Sequence, residues 1–419
     1  MNIWIMNHYA SSMFRDKAGR HYWFAKKLKE KGHNVTVFCA NTFLNSLDIV
    51  EIKDKKWKII VENEIPFVFV KTVPYTGNGI DRIKNMLLFF FNLFPSAKQY
   101  AKKYGRPDVI LASSVHPLTL VAGILLSKRM KIPCICEIRD LWPEAIFSFG
   151  KLKENSILGK FLIKGEHWIY KSSDALIFTK EGDTDYLKER HWDIPHGGDI
   201  DLEKCHYINN GVDLASYDKQ MKYEILSDPD LIDKGRFNII YAGTIRPVNN
   251  VGNILDAAKI IKAHGIDDIQ FLIYGDGNEA EILKNRIINE HISNIKMKGF
   301  IERKYIPYIL SKSSVNILNY SQSKYNWSRG NSSNKLFEYM ASGKPIISTV
   351  KMGYSIIKKY ECGIELNSDT PVDLASAVIK MHNMNEEKLE KIGINARIAS
   401  EDFDFDILTG KLLKVIENL

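Results

Sequence analysis

Short apolar runs alternate along this chain with longer stretches in which apolar residues recur every three to four positions. The runs read as strands and the longer stretches as helices. In the first half, strands are predicted at 2–6, 34–39, 108–112, 133–138 and 174–178, with two more around a turn in 57–73. Helices are predicted at 19–31 and 118–130. Residues 190–206 lack periodicity and carry Gly197-Gly198 and several acids, so they read as a loop. The turn-rich segment 208–213 (INNGVD) then interrupts the pattern.

Beyond it the alternation restarts. Strands are predicted at 238–242, 270–274, 295–300 and 314–318, and helices at 253–264, 279–290 and 305–312. Further helices fall at 335–342, 372–381 and 386–400, with a last apolar-patterned segment at 403–416. Strand–helix alternation implies parallel sheets covered on both faces. The expectation is two doubly wound domains, 1–209 and 210–401, followed by a terminal helix at about 402–419. At 419 residues the chain exceeds one ordinary core, which agrees.

Composition narrows the class. Hydrophobic residues make up 45% of the chain, so it is globular. The five cysteines are scattered, and Cys134 and Cys136 are expected on one face of a buried strand. A reducing cytoplasm fits. The net charge of +8 permits an anionic partner: a nucleotide, a phospholipid surface or, least favoured for want of any zinc-finger or aromatic RNA-binding signature, nucleic acid. Residues 86–94 (MLLFFFNLF) are too few to span a bilayer and have basic flanks at Arg82, Lys84, Lys98, Lys102 and Lys103. They suit a helix lying in a membrane interface or a buried core helix.

Chemistry concentrates in 330–347. Small polar residues from Gly330 to Asn334 precede a helix-forming stretch, and Gly343 and Pro345 stop it. Free amides at such a helix start can hold a phosphate, with Lys335 adding charge, and Glu338 one turn in can accept hydrogen bonds from paired hydroxyls. In open sheets, ligands bind beyond the carboxyl ends of the strands. That rule gathers the loop after Met6, Ser114 to Pro117, Arg139-Asp140, Gly243 to Arg246, Gly275 to Gly277, and Gly330 to Glu338 toward one expected cleft.

Taken in order, 208–213 (INNGVD), 274–277 (YGDG) and 335–345 (KLFEYMASGKP) resemble the GT4 family of retaining glycosyltransferases with the two-domain GT-B fold. Residues 139–144 (RDLWPE) resemble the branch that builds bacterial O-antigen and capsule, such as N-acetyl-L-fucosamine transferases. The resemblance covers essentially the whole chain and implies that the terminal helix at about 402–419 crosses back onto the first domain. It implies a cytoplasmic enzyme, peripheral on the inner face of the membrane. Such an enzyme takes a UDP-sugar, its sugar N-acetylated or deoxy, as co-substrate with no further cofactor and no metal, and an undecaprenyl-diphosphate-linked glycan as acceptor. By the resemblance His116 lies near the reacting sugar, Asp140 is a second polar residue at the cleft, and Glu338 holds the ribose; these are the candidate catalytic residues. The donor site implied comprises Gly243, Thr244, Arg246, Gly275, Gly277, Phe300, Asn331, Ser332, Ser333, Asn334, Lys335, Leu336 and Glu338.

The sequence departs from the family twice. Gly330 stands where the first glutamate of a pair is expected, and Thr244 and Asn249 stand where an Arg and a Lys usually meet the diphosphate, leaving Arg246 and Lys335 as substitutes. Asp199-Ile200-Asp201 has metal-pair spacing but reads as solvated loop. Arg15 and Lys17 suit an acceptor phosphate or a flexible charged loop. A nucleotide-sugar epimerase or hydrolase on the same fold, and a non-catalytic nucleotide-sugar-binding protein, are the alternatives.

Overall fold

The computed structural model describes residues 1–419 apart from 54, 115, 149, 151 and 234, and apart from the side chains of Ala145 and Ser148. The chain divides into two compact units, Met1–Asn209 with Leu408–Leu419, and Asn210–Ile407. The last helix, Phe405–Glu417, crosses this partition.

The first unit holds β1 (Asn2–Met6), β2 (Asn34–Ala40), β3 (Trp57–Glu62), β4 (Ile65–Val70), β5 (Val109–Ser113), β6 (Cys134–Ile138), β7 (Ala175–Phe178) and β8 (Cys205–Tyr207). They form one sheet in the order β3-β4-β2-β1-β5-β6-β7-β8, in which β3 alone runs antiparallel to its neighbour. Trp4, Met6, Phe38, Ile110, Cys134 and Cys136 face a core completed by Phe89 and Leu93 of the helix Ile80–Tyr104 and by Ile169. Alternate strand residues point the other way. There Glu137 meets Arg20 and His21 of the helix Arg20–Glu30.

The expected loop 190–206 is corrected by the structure. It carries two single 3-10 turns, Ile194–His196 and Leu202–Lys204, and ends in the edge strand β8, whose three half-buried residues are too few to show an alternation. Asp199 is not merely solvated: its carboxylate takes His167 Nε2 at 2.8 Å and Lys171 Nζ at 2.7 Å. Asp201 caps the second turn by accepting from Glu203 N. The loop after Met6 is largely a helix, Ala10–Asp16. Arg15 pairs with Asp16 and Asp48 at 3.7 Å each, and Lys17 with Glu62 at 2.9 Å, all at the surface.

Residues 86–94 lie inside the Ile80–Tyr104 helix, and its period splits the run. Phe89 and Leu93 are fully buried, while Leu87, Leu88 and Phe91 are exposed at 41%, 36% and 62%. The buried-core reading is therefore met by one face of the helix, and the other face is exposed. The helix Pro117–Met130 packs between Ile80–Tyr104 and Ile157–Ser172. The first turn of Ile157–Ser172 also exposes Ile157, Leu158 and Phe161.

The second unit holds β9 (Phe237–Ala242), β10 (Ile269–Tyr274), β11 (Ile295–Gly299), β12 (Val315–Leu318), β13 (Ile346–Ser348) and β14 (Gly363–Glu365). They form a wholly parallel sheet in the order β11-β10-β9-β12-β13-β14, with an apolar cluster on each face. In each unit the chain winds outward from a central strand and then returns to its other side. The reversals fall at β1/β5 and at β9/β12. The carboxyl ends of adjacent strands splay apart at such a reversal and leave a crevice.

Candidate active site

At the β9/β12 reversal the loops are held by backbone contacts. Gly243 N donates to Tyr274 O at 2.9 Å, and Ile245 N to Asp276 O at 2.9 Å. A Cβ on Gly275 would stand 1.9 Å from Gly243 O, and one on Gly277 would stand 2.0 Å from Ile245 O. Both glycines thus let the turn after β10 lie directly on the turn after β9. Asn319, just past β12, donates from Nδ2 to the carbonyls of Asn249 and Asn250 at 2.7 Å each. Asn249 Nδ2 in turn donates to Thr244 O. Thr244 and Asn249 therefore shape this loop.

Lys335 projects into the crevice. Its helix, Asn334–Ala341, is anchored by Tyr339, whose hydroxyl accepts from Ala242 N at 3.0 Å and donates to Ala242 O at 3.1 Å at the end of β9. Lys335, Glu338 and Tyr339 share one helix face by their spacing. Leu336, Phe337 and Met340 occupy the buried face, which removes the Leu336 side chain from any donor site. The Lys335 ammonium sits 4.7 Å from the Tyr241 ring centre and 4.5 Å from that of Tyr320, and donates to Tyr241 Oη at 3.2 Å. No carboxylate pairs with it among the described residues. Burial, reinforced by the charge of Arg246, pushes the amine down to about 7. Arg246 is exposed just past the same strand and also has no ion-pair partner among the described residues. Glu338, one turn along the same helix, pulls the amine the other way without pairing with it, and two cations near one another with neither held in an ion pair make an anion site.

The residues before the helix complete it. Asn331 Oδ1 accepts from Ser333 N at 2.7 Å, and Ser332 O accepts from Asn210 Nδ2 at 2.5 Å. Ser333 is the N-cap but makes no side-chain cap bond, and Asn334 is exposed. First-turn amides of a helix lack intrahelical acceptors and carry partial positive charge. Gly330 has φ +102°, a conformation strained for any residue with a side chain, which accounts physically for the absence of glutamate there. Glu338 is engaged: Arg303 NH2 donates to its Oε1 at 2.8 Å. Arg303 follows Phe300, whose ring is 73% exposed. Nothing local in the sequence marks Arg303 or Tyr241, which lie 35 and 94 residues away from the helix residues they meet.

In the first unit, His116 follows β5 and caps Pro117–Met130, beside the β1/β5 reversal. It is buried, with Nε2 at 2.8 Å from Nδ1 of His8, which follows β1. Burial and Arg82 push His116 down to about 3, so the ring is neutral at physiological pH. Asp140 is exposed on the loop after β6. With Ser114 and Pro117 it stands at one end of an apolar cavity of about 310 Å³ that also takes in Trp142, Phe161 and Trp168. Arg139 N donates to Ser114 Oγ at 3.0 Å, tying the loops after β5 and β6 together. Beneath them Glu137 binds Arg20 Nε at 2.6 Å, His21 Nε2 at 2.9 Å and Ser113 Oγ at 2.7 Å. Burial alone would raise this carboxyl; Arg20 and His21 outweigh it and hold it well below its ordinary range.

Two family models match the chain. Glycosyltransferase Family 4 matches residues 22–216, and Glycosyl transferases group 1 matches residues 223–399. Both units are therefore glycosyltransferase domains, and the chain has the GT-B fold. TuaH of Bacillus subtilis (strain 168), provisionally named as a teichuronic acid biosynthesis glycosyltransferase, is 26% identical over 61% of this chain and 60% of its own length. WbjE of Pseudomonas aeruginosa, likewise provisionally named as a glycosyltransferase, is 22% identical over 72% of this chain and 71% of its own. The Anabaena protein HepE, solved with UDP-glucose, superposes with a TM-score of 0.65 at 15% identity and full coverage of both chains.

Proposed function

We propose that the protein is a retaining, metal-independent transferase. It moves a sugar, N-acetylated or deoxy, from a UDP-sugar to an undecaprenyl-diphosphate-linked glycan in the synthesis of O-antigen, capsule or another bacterial surface polysaccharide. The carrying observation is the cation pair Arg246 and Lys335, neither in ion-pair contact with a carboxylate among the described residues, beside the amides that open the Asn334–Ala341 helix. The reaction breaks the bond between the anomeric carbon and the diphosphate oxygen, and negative charge grows on the leaving diphosphate. Fixed cations and oriented amides meet that charge with little reorganisation. Glu338 releases Arg303 to take the ribose hydroxyls, and the exposed Phe300 offers a face to the base. The UDP-glucose bound to HepE supports uracil as that base.

No helix among the described residues is long and apolar enough to cross a membrane. Docking on the anionic inner surface is assigned to the exposed apolar side chains of Ile80–Tyr104 and Ile157–Ser172, with Arg82, Lys84, Lys160 and Lys164 on the same two helices. The test is incubation with a panel of UDP-sugars and a lipid extract, comparing wild type with Glu338→Ala. Sugar transferred to lipid, with most of the transfer and donor affinity lost in Glu338→Ala, supports the reading. Epimerised or hydrolysed donor, or binding without turnover, refutes it.

A further inference from the structure

The hydrogen-bond chain behind His116 has a single consistent proton arrangement. Asn85, fully buried on the Ile80–Tyr104 helix, places its Nδ2 at 2.6 Å from Val73 O, 2.9 Å from Thr42 Oγ1 and 3.1 Å from Thr72 Oγ1. A backbone carbonyl only accepts, so that atom is the amide nitrogen and Oδ1 faces His8. His8 Nε2 lies 2.6 Å from Oδ1, which also only accepts, so Nε2 carries a hydrogen. His8 is fully buried, with His116 and Arg82 close by; both the burial and these neighbours disfavour a second proton. Its Nδ1 is then a bare lone pair and must receive the hydrogen of His116 Nε2 at 2.8 Å.

His116 is neutral as well, so its own Nδ1 is also a bare lone pair. That atom is buried and has no hydrogen-bond partner among the described residues, on a side chain 98% removed from solvent. An unmet buried acceptor costs about 1–3 kcal/mol, and it is retained where a ligand satisfies it.

From this geometry we infer that Asn85 and His8 are positioning residues that hold His116 as the Nε2–H tautomer, so that Nδ1 accepts a hydrogen bond from a carbohydrate hydroxyl. The chain ends at an amide oxygen, which cannot take a proton onward. The hydroxyl therefore keeps its proton and donates it in a hydrogen bond to Nδ1, so His116 orients the hydroxyl instead of acting as an acid or base. The charged and titratable groups facing the pair are Arg82 from the Ile80–Tyr104 helix and Tyr9 beyond β1. The inference concerns the first unit's part in the transfer and rests on the glycosyltransferase reading.

Two measurements test it on the full chain. Long-range ¹H–¹⁵N spectra of the imidazoles at pH 7 should show His8 and His116 both neutral with the hydrogen on Nε2. A hydrogen on Nδ1 of His116, or an imidazolium at either position, overturns the assignment, and no substrate is needed. In the transfer assay, Asn85→Asp should set a carboxylate against His8 and stabilise its cation. The new Nδ1–H of His8 would then donate to His116 Nε2 and drive the His116 hydrogen to Nδ1. The expected result is an acid limb: kcat/KM relative to wild type at the same pH about tenfold lower at pH 6 than at pH 8. A wild-type-like pH profile in a folded Asn85→Asp protein overturns the positioning role.

Deoxy analogues of donor and acceptor, tried against wild type and His116→Phe, identify the hydroxyl's source. One analogue should lose no further activity in His116→Phe; additive losses for all of them refute the hydrogen bond. A wild type that transfers no sugar while its spectra show Nε2–H would sink the function reading and leave the tautomer assignment standing.

Discussion

Lys335 ties donor binding to pH in a way that can be measured directly. Its ammonium lies between two phenol rings with no carboxylate in ion-pair contact among the described residues, and burial with the nearby Arg246 outweighs the pull of Glu338 and pushes it down to about 7. In the ligand-free protein it is half neutral at pH 7 and almost wholly neutral at pH 9. A diphosphate beside it reverses the preference: two unit charges about 4 Å apart at an effective dielectric of about 20 attract by about 4 kcal/mol, equivalent to about 3 pK units. Binding then takes up a proton, and donor affinity falls as pH rises above 7, by about 50-fold between pH 7 and pH 9.

Calorimetry with a UDP-sugar, repeated in buffers of different ionisation enthalpy, reads both quantities. Lys335→Met should bind two to three orders of magnitude more weakly at neutral pH, on the order of 4 kcal/mol, with the pH dependence gone. Stability moves oppositely: the unfolded chain holds this proton up to about the ordinary value of 10.5, so the free protein gains stability from about pH 7 towards that value. A dissociation constant flat from pH 6.5 to 9, with no proton uptake, would refute Lys335 as the diphosphate ligand.

Other consequences are separable. Glu137→Gln leaves Arg20 buried without its carboxylate and should cost about 3–5 kcal/mol in urea unfolding. In wild type, because the folded carboxyl is held low, its contribution is complete above the ordinary value of 4.5 and fades as pH falls below it. Gly330→Glu should not restore a family-like site: at φ +102° any side chain costs about 1–3 kcal/mol, seen as a lowered Tm with no gain in transfer. Leu88→Ser with Phe91→Ser should release the protein from anionic liposomes while stability changes by less than about 1 kcal/mol, whereas Phe89→Ser, at a fully buried site, should cost about 3–5 kcal/mol in stability. Liposome binding unchanged in the double variant would remove that helix face from the membrane reading.

What the sequence determined by itself was whatever local spacing encodes. Apolar runs of strand length and helical periodicities placed nearly every parallel strand, and Gly330 to Pro345 announced a turn, a helix start and its stop, because backbone conformation there depends on near neighbours. The short edge strands β8 and β14 escaped, having too few residues to show a period. Residues 86–94 were legible as apolar, yet only the packing of their helix sorted Phe89 inward and Phe91 outward.

Tertiary structure alone decided the partners. His8 meets Asn85 across 77 residues and His116 across 108. Lys335 reaches Tyr241, and Arg303 takes Glu338, through the winding of β9, β11 and β12. Such pairings follow from strand order and register, which bring distant loops to the same sheet edge. The chemistry of each group, including which nitrogen of His116 is bare and why Lys335 lies near neutrality, is set by the burial and neighbours that arise only there.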